Sequence, residues 1–392
     1  MQRRSDQYRI SAPQQDNLAM KSAGFLLIPF LSSLLLAAAA VPLVRRVALR
    51  VALMDDPSEG AYKTHPRPVP YGGGIAILAG AALPLIALLV GFVQGGLVGL
   101  PAGEANQVTS LLLCASAVFT VGLIDDWRGL SPLLRLAVQA VAALYLVSSV
   151  PGFRLTLFTS ITGPSDLISG LTTVIWIVAL TNAFNFLDNM DGLSAGLAVI
   201  GLAVTGLLAV AANHWPAAAL CLSLAGASAG FLLYNFPPAS VFMGDAGGLF
   251  LGFAVGAATA LISNQLDAGL DVAAPSLSRG VAPLVVLGVP LYDLVTVVLI
   301  RLKRRIPLWR GDTNHISHRL VRLGLSRRGS VLSLYGLATL SGITSLVALF
   351  APPVVQTPVL LGAGAAVAIG ACLDCRFSSS SLSPPPGRSP TA

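Results

Sequence analysis

Five aspartates of this chain lie where long apolar stretches end, in short polar segments. They are Asp125 and Asp126 in GLIDDWRGL, Asp188 and Asp191 in NAFNFLDNMDGL, and Asp245 in FMGDAGGLF. Carboxylates are costly beside a hydrocarbon core, so acids in these positions predict a functional site. Adjacent carboxylates repel each other unless a cation shares their site, and Mg²⁺ prefers such oxygen ligands together with phosphate. The pattern predicts a magnesium site that handles phosphate. A helix cap or a turn is the alternative for Asp125–Asp126 and for Asp245.

Two asparagines and one arginine could complete such a site. Asn182, Asn185 and Asp188 are three residues apart, so on a helix they share one face. Two amides beside a carboxylate suit a base or a ribose together with a metal shell. Arg135 and Gln139 lie four residues apart, on one face of the helix that follows GLIDDWRGL. We expect Arg135 to reach back to that segment as a partner for phosphate.

Histidines accompany basic residues in two further segments. Lys63 and His65 belong to KTHPRPVPYGGG, in which prolines stiffen the backbone and glycines permit close approach. This segment predicts a cationic rim for anionic substrates, although a helix–helix turn whose cations meet lipid phosphate is the alternative. The second segment, DTNHISHRL, contains Asp312, His315, His318 and Arg319. A zinc site is one interpretation of its D-x-x-H-x-x-H spacing, but thiolates are absent and phosphate recognition is favoured.

The elements that would position these residues are transmembrane helices. The chain is 55% hydrophobic and 10% charged, with a mean hydropathy of +0.78, whereas about a quarter of an ordinary soluble domain is charged. Apolar stretches of roughly 17 to 23 residues are long enough to cross a bilayer, and we predict about eleven of them. They cover 23–44, 72–93, 107–124, 132–150, 168–187, 193–212, 216–234, 246–263, 280–300, 330–350 and 355–373. The expected fold class is an all-α polytopic membrane protein.

One domain accounts for nearly the whole sequence. We expect residues 1–22 to form a polar N-terminal tail, residues 23–375 a single transmembrane catalytic domain, and the Ser/Pro-rich residues 376–392 a disordered tail. The first apolar stretch could imitate a secretory signal, but its length favours a retained span. Cys372 and Cys375 form a lone C-x-x-C, which is weak support for a metal or redox role.

The distribution of basic residues predicts that the N-terminus is outside and the C-terminus inside. With eleven spans in this orientation, 18 of the 24 Lys and Arg residues fall in inner segments and 6 in outer ones. All five aspartates then lie on the cytoplasmic face. The net charge of +7 describes a basic cytoplasmic surface next to anionic lipid, so nucleic acid is not an expected partner.

Five motifs, in order between the predicted spans, resemble those of the polyprenyl-phosphate N-acetylhexosamine-1-phosphate transferases, the glycosyltransferase 4 family. They are K-x-H-x-x-P-V-P-x-G-G (Lys63 to Gly73), D-D-x-x-G-L-S-P (Asp125 to Pro132), N-A-x-N-F-x-D-x-x-D-G-L (Asn182 to Leu193), N-F-x-P-A-x-V-F-M-G-D-x-G (Asn235 to Gly247) and D-x-x-H-x-x-H-R-L (Asp312 to Leu320). Each motif is moderately specific, but five in order over residues 50–325 are a strong indication.

The resemblance implies a reaction at the cytoplasmic face of the bacterial inner membrane. A UDP-N-acetylhexosamine gives its sugar 1-phosphate to a polyprenyl phosphate in the lipid bilayer, and UMP leaves. The reaction depends on Mg²⁺, with Mn²⁺ as the alternative ion, and it is the first membrane step of envelope polysaccharide synthesis. Phosphoryl transfer of this kind requires positioning and charge neutralisation more than covalent chemistry.

The resemblance also implies roles for single residues. Asp245, together with Asp188, is the expected Mg²⁺ ligand, and Asp125 and Asp126 match a pair assigned to lipid-phosphate activation or metal contact. Other positions match nucleotide, phosphate and sugar contacts, and they are Asn185, Asp188, Asp191, Lys63, His65, His315 and His318.

Within the family, the PVPYGG and HRL sequences favour the branch that uses UDP-GlcNAc. The branch that uses UDP-MurNAc-pentapeptide, which is the alternative, normally carries three consecutive histidines. Three residues depart from the family pattern: Tyr62 in place of Arg, Arg135 in place of Lys, and Ser317 in place of His. A secondary transporter is an alternative of another class, but its acids would lie near the bilayer midplane. A lipid-binding scaffold is a third, although it would tolerate the loss of carboxylates. The oligomeric state is left open, a homodimer included.

Overall fold

The computed structural model describes residues 12–57, 67–95, 102–155, 166–269, 276–309, 311–352, 354–356, 358, 359 and 362. These residues form an all-α structure, as predicted, with one short antiparallel strand pair. The helices are α1 (Ala12–Arg50), α2 (Gly73–Gly95), α3 (Ala102–Arg128), α4 (Pro132–Ser149), α5 (Asp166–Leu187), α6 (Leu193–Ala211), α7 (Trp215–Asn235), α8 (Gly244–Gly269), α9 (Ser276–Val285), α10 (Gly288–Lys303), α11 (Ile316–Arg322) and α12 (Arg327–Phe350). The strands are β1 (Met54–Asp55) and β2 (Val69–Pro70), with Met54 opposite Pro70.

Eight of the described helices are long and apolar enough to cross a membrane. They are the part of α1 from Leu27 onward, α3 to α7, the part of α8 up to Leu266, and α12. The chain is therefore a multi-pass membrane protein. The predicted total of eleven spans and the N-out orientation stay predictions, because the last predicted span, 355–373, lies largely outside the described residues, as do Cys372, Cys375 and the tail 376–392.

The predicted span 280–300 is broken in the structure. Helix α9 ends at Val285 and α10 begins at Gly288. Pro290 has no backbone N–H, so it cannot donate to the carbonyl of Val286 four residues earlier, and a continuous helix through this point would lose that hydrogen bond. The sequence GVP was therefore a break signal within an otherwise apolar stretch.

Helix α8 is the centre of the bundle and is buried along its membrane-length segment. It packs against α2, α3 and α5, and glycines of α2 and α3 allow those two helices to approach it very closely. A Cβ on Gly74 of α2 would come within 2.5 Å of the backbone nitrogen of Gly247. A Cβ on Gly122 of α3 would come within 2.6 Å of the Cα of Ala246. The backbones of α2 and α3 therefore lie directly against the first turn of α8.

Candidate active site

Nine of the residues singled out in the sequence line one cavity of about 620 Å³ at one end of the bundle. They are Arg135, Asn182, Asn185, Asp188, Asp191, Asp245, Asp312, His315 and His318. Asp125 and Asp126 lie directly behind Asp245, whereas Arg319 packs elsewhere. Lys63 and His65 lie outside the described residues. The five aspartates thus gather at one end of the molecule, as the sequence analysis predicted.

One side of the cavity, which we call the carboxylate wall, consists of Asp125, Asp126, Arg135, Asn185, Asp188 and Asp245. Arg135 connects its members, because its Nη1 donates to Oδ2 of Asp125 and to Oδ2 of Asp245. Pro132 starts α4, and the hydroxyl of Ser131 caps it by accepting from the N–H of Leu134 at 3.2 Å. This start places Arg135 in the first turn, facing back to α3. Arg135 thus reaches back to the aspartate segment, as expected, and its role as a partner for phosphate stays a prediction.

The Asp125–Asp126 pair lies in the last turn of α3, which ends at Arg128, and not in a turn between helices as the sequence suggested. Asp126 accepts hydrogen bonds from the N–H groups of Asp245, at 2.7 Å, and Ala246, at 3.1 Å. These are free donors at the start of α8, so Asp126 caps a helix that lies 119 residues further along the chain. Gly244, with φ of 76°, leaves room for this carboxylate. The sequence left a magnesium site and a helix cap as interpretations of this pair, and the contacts of Asp126 are those of a helix cap.

Two asparagines of α5 line the cavity, and one of them orients an acid. Asn185 Nδ2 donates to Oδ1 of Asp245 at 2.7 Å, and Asn182 Nδ2 donates to Oε1 of Gln139 at 2.7 Å. The predicted common face of these amides is confirmed. Asp188 is the first residue after α5, which ends at Leu187, so it does not share the helix face of the two amides. It nevertheless lines the same cavity.

Asp188 differs from the other acids of this wall. Its carboxylate accepts no hydrogen bond and forms no ion pair with the residues that the structure describes. Burial, followed by the charges of Asp245, Asp126 and Asp191, raises the pKa of this carboxyl well above its usual range. A cation at this point would relieve both effects, and carboxylate oxygens are suitable ligands for Mg²⁺. Within the described part of the chain, no three His, Cys, Asp or Glu side chains enclose an ion site by themselves.

Asp191 holds the rim of the cavity. Its Oδ2 accepts from the N–H of Ala239 at 2.9 Å, which ties the turn after α5 to the segment between α7 and α8. Gly192 adopts φ of 77° at the start of α6, and its N–H donates to Oδ1 of Asn235 at 2.9 Å. Its carbonyl accepts from the hydroxyl of Tyr335 at 2.6 Å. These contacts fix the turn that carries Asp188.

A second group of residues at the cavity, which we call the histidine wall, consists of Asp293, Arg301, Asp312, His315 and His318. Arg301 is 1% exposed and lies over the ring of Phe186 at 4.8 Å. Its Nε donates to Oδ2 of Asp312 at 2.9 Å. Burial alone would raise the pKa of Asp312, but Arg301 and the N–H of Asn314 outweigh it and lower that pKa. Asp312 therefore supports a buried arginine.

Both histidines line the cavity, with different neighbours. His315 Nδ1 lies 2.7 Å from Oδ2 of Asp293. His318 has no such carboxylate, and burial, followed by His315, Arg322 and Arg327, lowers its pKa to about 4. His318 is therefore neutral at neutral pH.

The neighbours of the two histidines place the short helix α11. Ser317, which stands where the family usually has His, donates to Oδ1 of Asn189 at 2.6 Å and so joins α11 to the turn 188–192. Arg319 is buried against α10, where its Nη2 donates to Thr296 Oγ1 at 3.1 Å. Its assignment as a substrate contact stays a prediction.

Sequence reasoning missed four residues of the site: Asp55, Tyr71, Asp293 and Arg301. Asp293 had a usable signal, because it is the one acid in the predicted span 280–300. Asp55 and Tyr71 line the cavity from β1 and the residue after β2. Burial and then the charge of Asp55 raise the pKa of Tyr71, so its hydroxyl stays protonated.

Comparison with known proteins identifies the group to which this site belongs. Residues 108–263 match the family model described as glycosyl transferase family 4. The chain is 32% identical to a probable undecaprenyl-phosphate N-acetylglucosaminyl 1-phosphate transferase of Bacillus subtilis, over 82% of this chain and 84% of that protein. It is 32% identical to a decaprenyl-phosphate N-acetylglucosaminephosphotransferase of Mycobacterium tuberculosis, over 82% and 81%.

A third relative is more distant: an undecaprenyl-phosphate alpha-N-acetylglucosaminyl 1-phosphate transferase of Salmonella typhimurium is 28% identical, over 77% of this chain and 78% of that protein. All three relatives are named as transferases that act with a polyprenyl phosphate. The resemblance drawn from the five motifs is confirmed. The chain is an enzyme, and it belongs to the polyprenyl-phosphate N-acetylhexosamine-1-phosphate transferases of glycosyl transferase family 4.

Proposed function

We propose that this enzyme transfers N-acetylglucosamine 1-phosphate from UDP-GlcNAc to a polyprenyl phosphate and releases UMP, at the cytoplasmic face of the bacterial inner membrane. The main support is the composition of the cavity, which combines a carboxylate wall, a histidine wall and an apolar side. The names of the relatives support the sugar and the lipid acceptor.

The apolar side of the cavity fits the lipid acceptor. Pro132, Leu133 and Leu136 of α4 and Leu294 and Val298 of α10 line it. Leu133 is 72% exposed, in a helix that faces the membrane over most of its length. A hydrocarbon chain can lie along these side chains while its phosphate reaches Arg135. A soluble acceptor would not need this apolar lining.

The residues present fit a divalent ion. Asp188 and Asp245 would hold Mg²⁺, or Mn²⁺ as the alternative, together with phosphate oxygens of the substrate. When bound, the ion neutralises the negative charge of these oxygens. Asp188 is suited to this because the described residues leave its carboxylate without a hydrogen bond.

The remaining polar groups position the two phosphates. An oxygen of the acceptor phosphate forms a bond to the sugar-bearing phosphorus of the donor. The bond from that phosphorus to the bridging oxygen breaks, and UMP leaves with the electron pair. Arg135 can stabilise charge on the acceptor side, and Arg301, His315 and His318 of the histidine wall line the same cavity. Asn185 keeps Asp245 in place throughout.

The proposal is tested with the purified chain in proteoliposomes that contain undecaprenyl phosphate. Release of UMP and formation of lipid-linked sugar are measured with UDP-GlcNAc, UDP-GalNAc, a UDP-QuiNAc-type sugar and UDP-MurNAc-pentapeptide, with Mg²⁺ and with EDTA. We expect turnover with UDP-GlcNAc that EDTA abolishes. Turnover with UDP-MurNAc-pentapeptide alone would overturn the sugar assignment, and turnover that survives EDTA would overturn the metal assignment. The control variant is Asp166→Asn, which we expect to keep full activity. Asp166 forms an ion pair with Arg154, and its side chain is 97% exposed.

A further inference from the structure

Asp293 is a buried acid whose two oxygens are both used to hold one histidine. Its side chain is 1% exposed, and it lies on α10, behind the cavity surface. Oδ2 lies 2.7 Å from Nδ1 of His315, and Oδ1 accepts from the N–H of Ile316, also at 2.7 Å. The carboxylate therefore contacts both the ring and the backbone of the histidine segment.

This contact determines which ring nitrogen carries a proton. An ionised carboxylate only accepts hydrogen bonds, so Nδ1 of His315 must be the protonated nitrogen. Nε2 is then the nitrogen that can accept or hold a proton, and it has no hydrogen-bond partner within the part of the chain that the structure describes. The ring lines the cavity and meets Phe186 edge to face, with centroids 6.2 Å apart. Ring orientation and tautomer are both fixed.

We propose that Asp293 is a positioning residue of the transfer reaction: it holds His315 with Nδ1 protonated, so that Nε2 faces the phosphate groups in the cavity. This proposal rests on the proposed function. While Nε2 holds a proton, it donates to a phosphate oxygen, and the carboxylate on the far side of the ring stabilises the positive charge. The other titratable or charged groups near the ring are His318 on α11, which is neutral, Arg301 on α10 and Asp312 in the preceding segment.

The chain contains a histidine with the opposite arrangement. His214 lies between α6 and α7, and its Nδ1 accepts from the N–H of Ala217 at 3.2 Å. Its proton is therefore on Nε2, which lies 2.9 Å from Oε1 of Gln107. His214 and His315 are therefore expected to give NMR signals of opposite tautomers, and His214 serves as the internal reference.

The first measurement is ¹⁵N solid-state NMR of the histidine-labelled chain in lipid. The chain has four histidines, so variants such as His315→Gln assign the signals. We expect His315 to be protonated at Nδ1 and His214 to carry its proton on Nε2. In Asp293→Asn, the amide can donate to Nδ1, and the His315 signal then shows protonation at Nε2 alone. A His315 signal that is the same in both proteins would overturn the proposal, whether or not the enzyme turns over UDP-GlcNAc.

The second measurement is kinetic. We expect Asp293→Asn to lower kcat roughly 10²-fold with little change in KM, because loss of a positioned proton donor affects the chemical step. In a His315→Gln background, Asp293→Asn should produce no further loss, since it acts through the ring. Thr296→Val is the matched control, because it removes the Arg319 contact between α10 and α11 one turn from Asp293 and leaves His315 untouched.

A purely structural role predicts different results. Thr296→Val would then lower kcat as much as Asp293→Asn does. The losses in kcat caused by Asp293→Asn and His315→Gln would also add in the double variant. Either observation would refute the positioning role. Wild-type protein that shows the expected NMR signal but no UMP release would refute the proposed function and leave the tautomer assignment standing.

Discussion

The two walls of the cavity use acids in opposite ways. In the carboxylate wall, Asp188 and Asp245 line the cavity, and a cation, Arg135, holds Asp245 together with Asp125 behind it. In the histidine wall, Asp312 and Asp293 support Arg301 and His315. The first wall includes contacts between residues 110 and 119 apart, whereas the acids of the second contact residues 11 to 23 apart. An acid at the end of a span therefore does not reveal its role until its partner is known.

The largest expected effect tests the carboxylate wall. Asp245→Asn keeps the size of the side chain and one acceptor oxygen, for Asn185 or for Arg135, but removes the charge. We expect a loss of roughly 10³-fold in UMP release from UDP-GlcNAc, because several kcal/mol of charge stabilisation depend on the metal ligand. Expression and thermal stability should match those of the Asp166→Asn control. Unchanged turnover would place the metal elsewhere.

Arg135 tests whether the carboxylate wall needs its bridging cation. Arg135→Gln leaves Asp125 and Asp245 facing each other without a charge between them, and we expect about 10²-fold lower kcat/KM. Arg135→Lys keeps the charge, although a lysine lacks the planar fork of arginine, and should stay within about 10-fold of the wild type. Equal losses in the two variants would show that geometry, and not charge, is what the wall requires.

Asp312→Ala tests the supporting role of acids in the histidine wall. It leaves the buried Arg301 without its carboxylate, and breaking a buried pair from one side costs roughly 3–5 kcal/mol. We expect a clear fall in the midpoint of thermal unfolding. The matched change Asp125→Ala should cost less, since Arg135 keeps Asp245 as a partner. A larger fall for Asp125→Ala would reverse the comparison of the two walls.

The smallest expected effect concerns pH. The pKa of His318 is about 4 in the folded protein and 6.5 in the unfolded chain. Between these values, the unfolded chain takes up a proton that the folded protein does not, so stability falls as the pH drops from 6.5 to 4. In His318→Asn, the midpoint of thermal unfolding should fall by a few degrees less than in the wild type over this pH range. A curve as steep as that of the wild type would argue against a neutral His318.

The sequence allowed prediction of the all-α class, most helix positions, and the meeting of five aspartates with Arg135, Asn182 and Asn185. These features follow from local hydropathy and from spacing along helices. The partners of Asp126, Asp191 and Asp312 could not be predicted, because backbone N–H groups and a buried arginine leave no pattern near those acids in the chain. The break before α10 could have been found, since Pro290 marks it.

Substitutions beside α8 and substitutions in the histidine wall differ in how easily this fold can accommodate them. One methyl group added at Gly74 or Gly122 would collide with backbone atoms, which no side-chain rearrangement can relieve. The register of α8, and with it the place of Asp245, therefore has to be inherited unchanged. The histidine wall is held by side-chain contacts, such as that of Ser317 with Asn189, which can be exchanged in small steps. Substitutions can therefore accumulate there while the position of Asp245 stays constant.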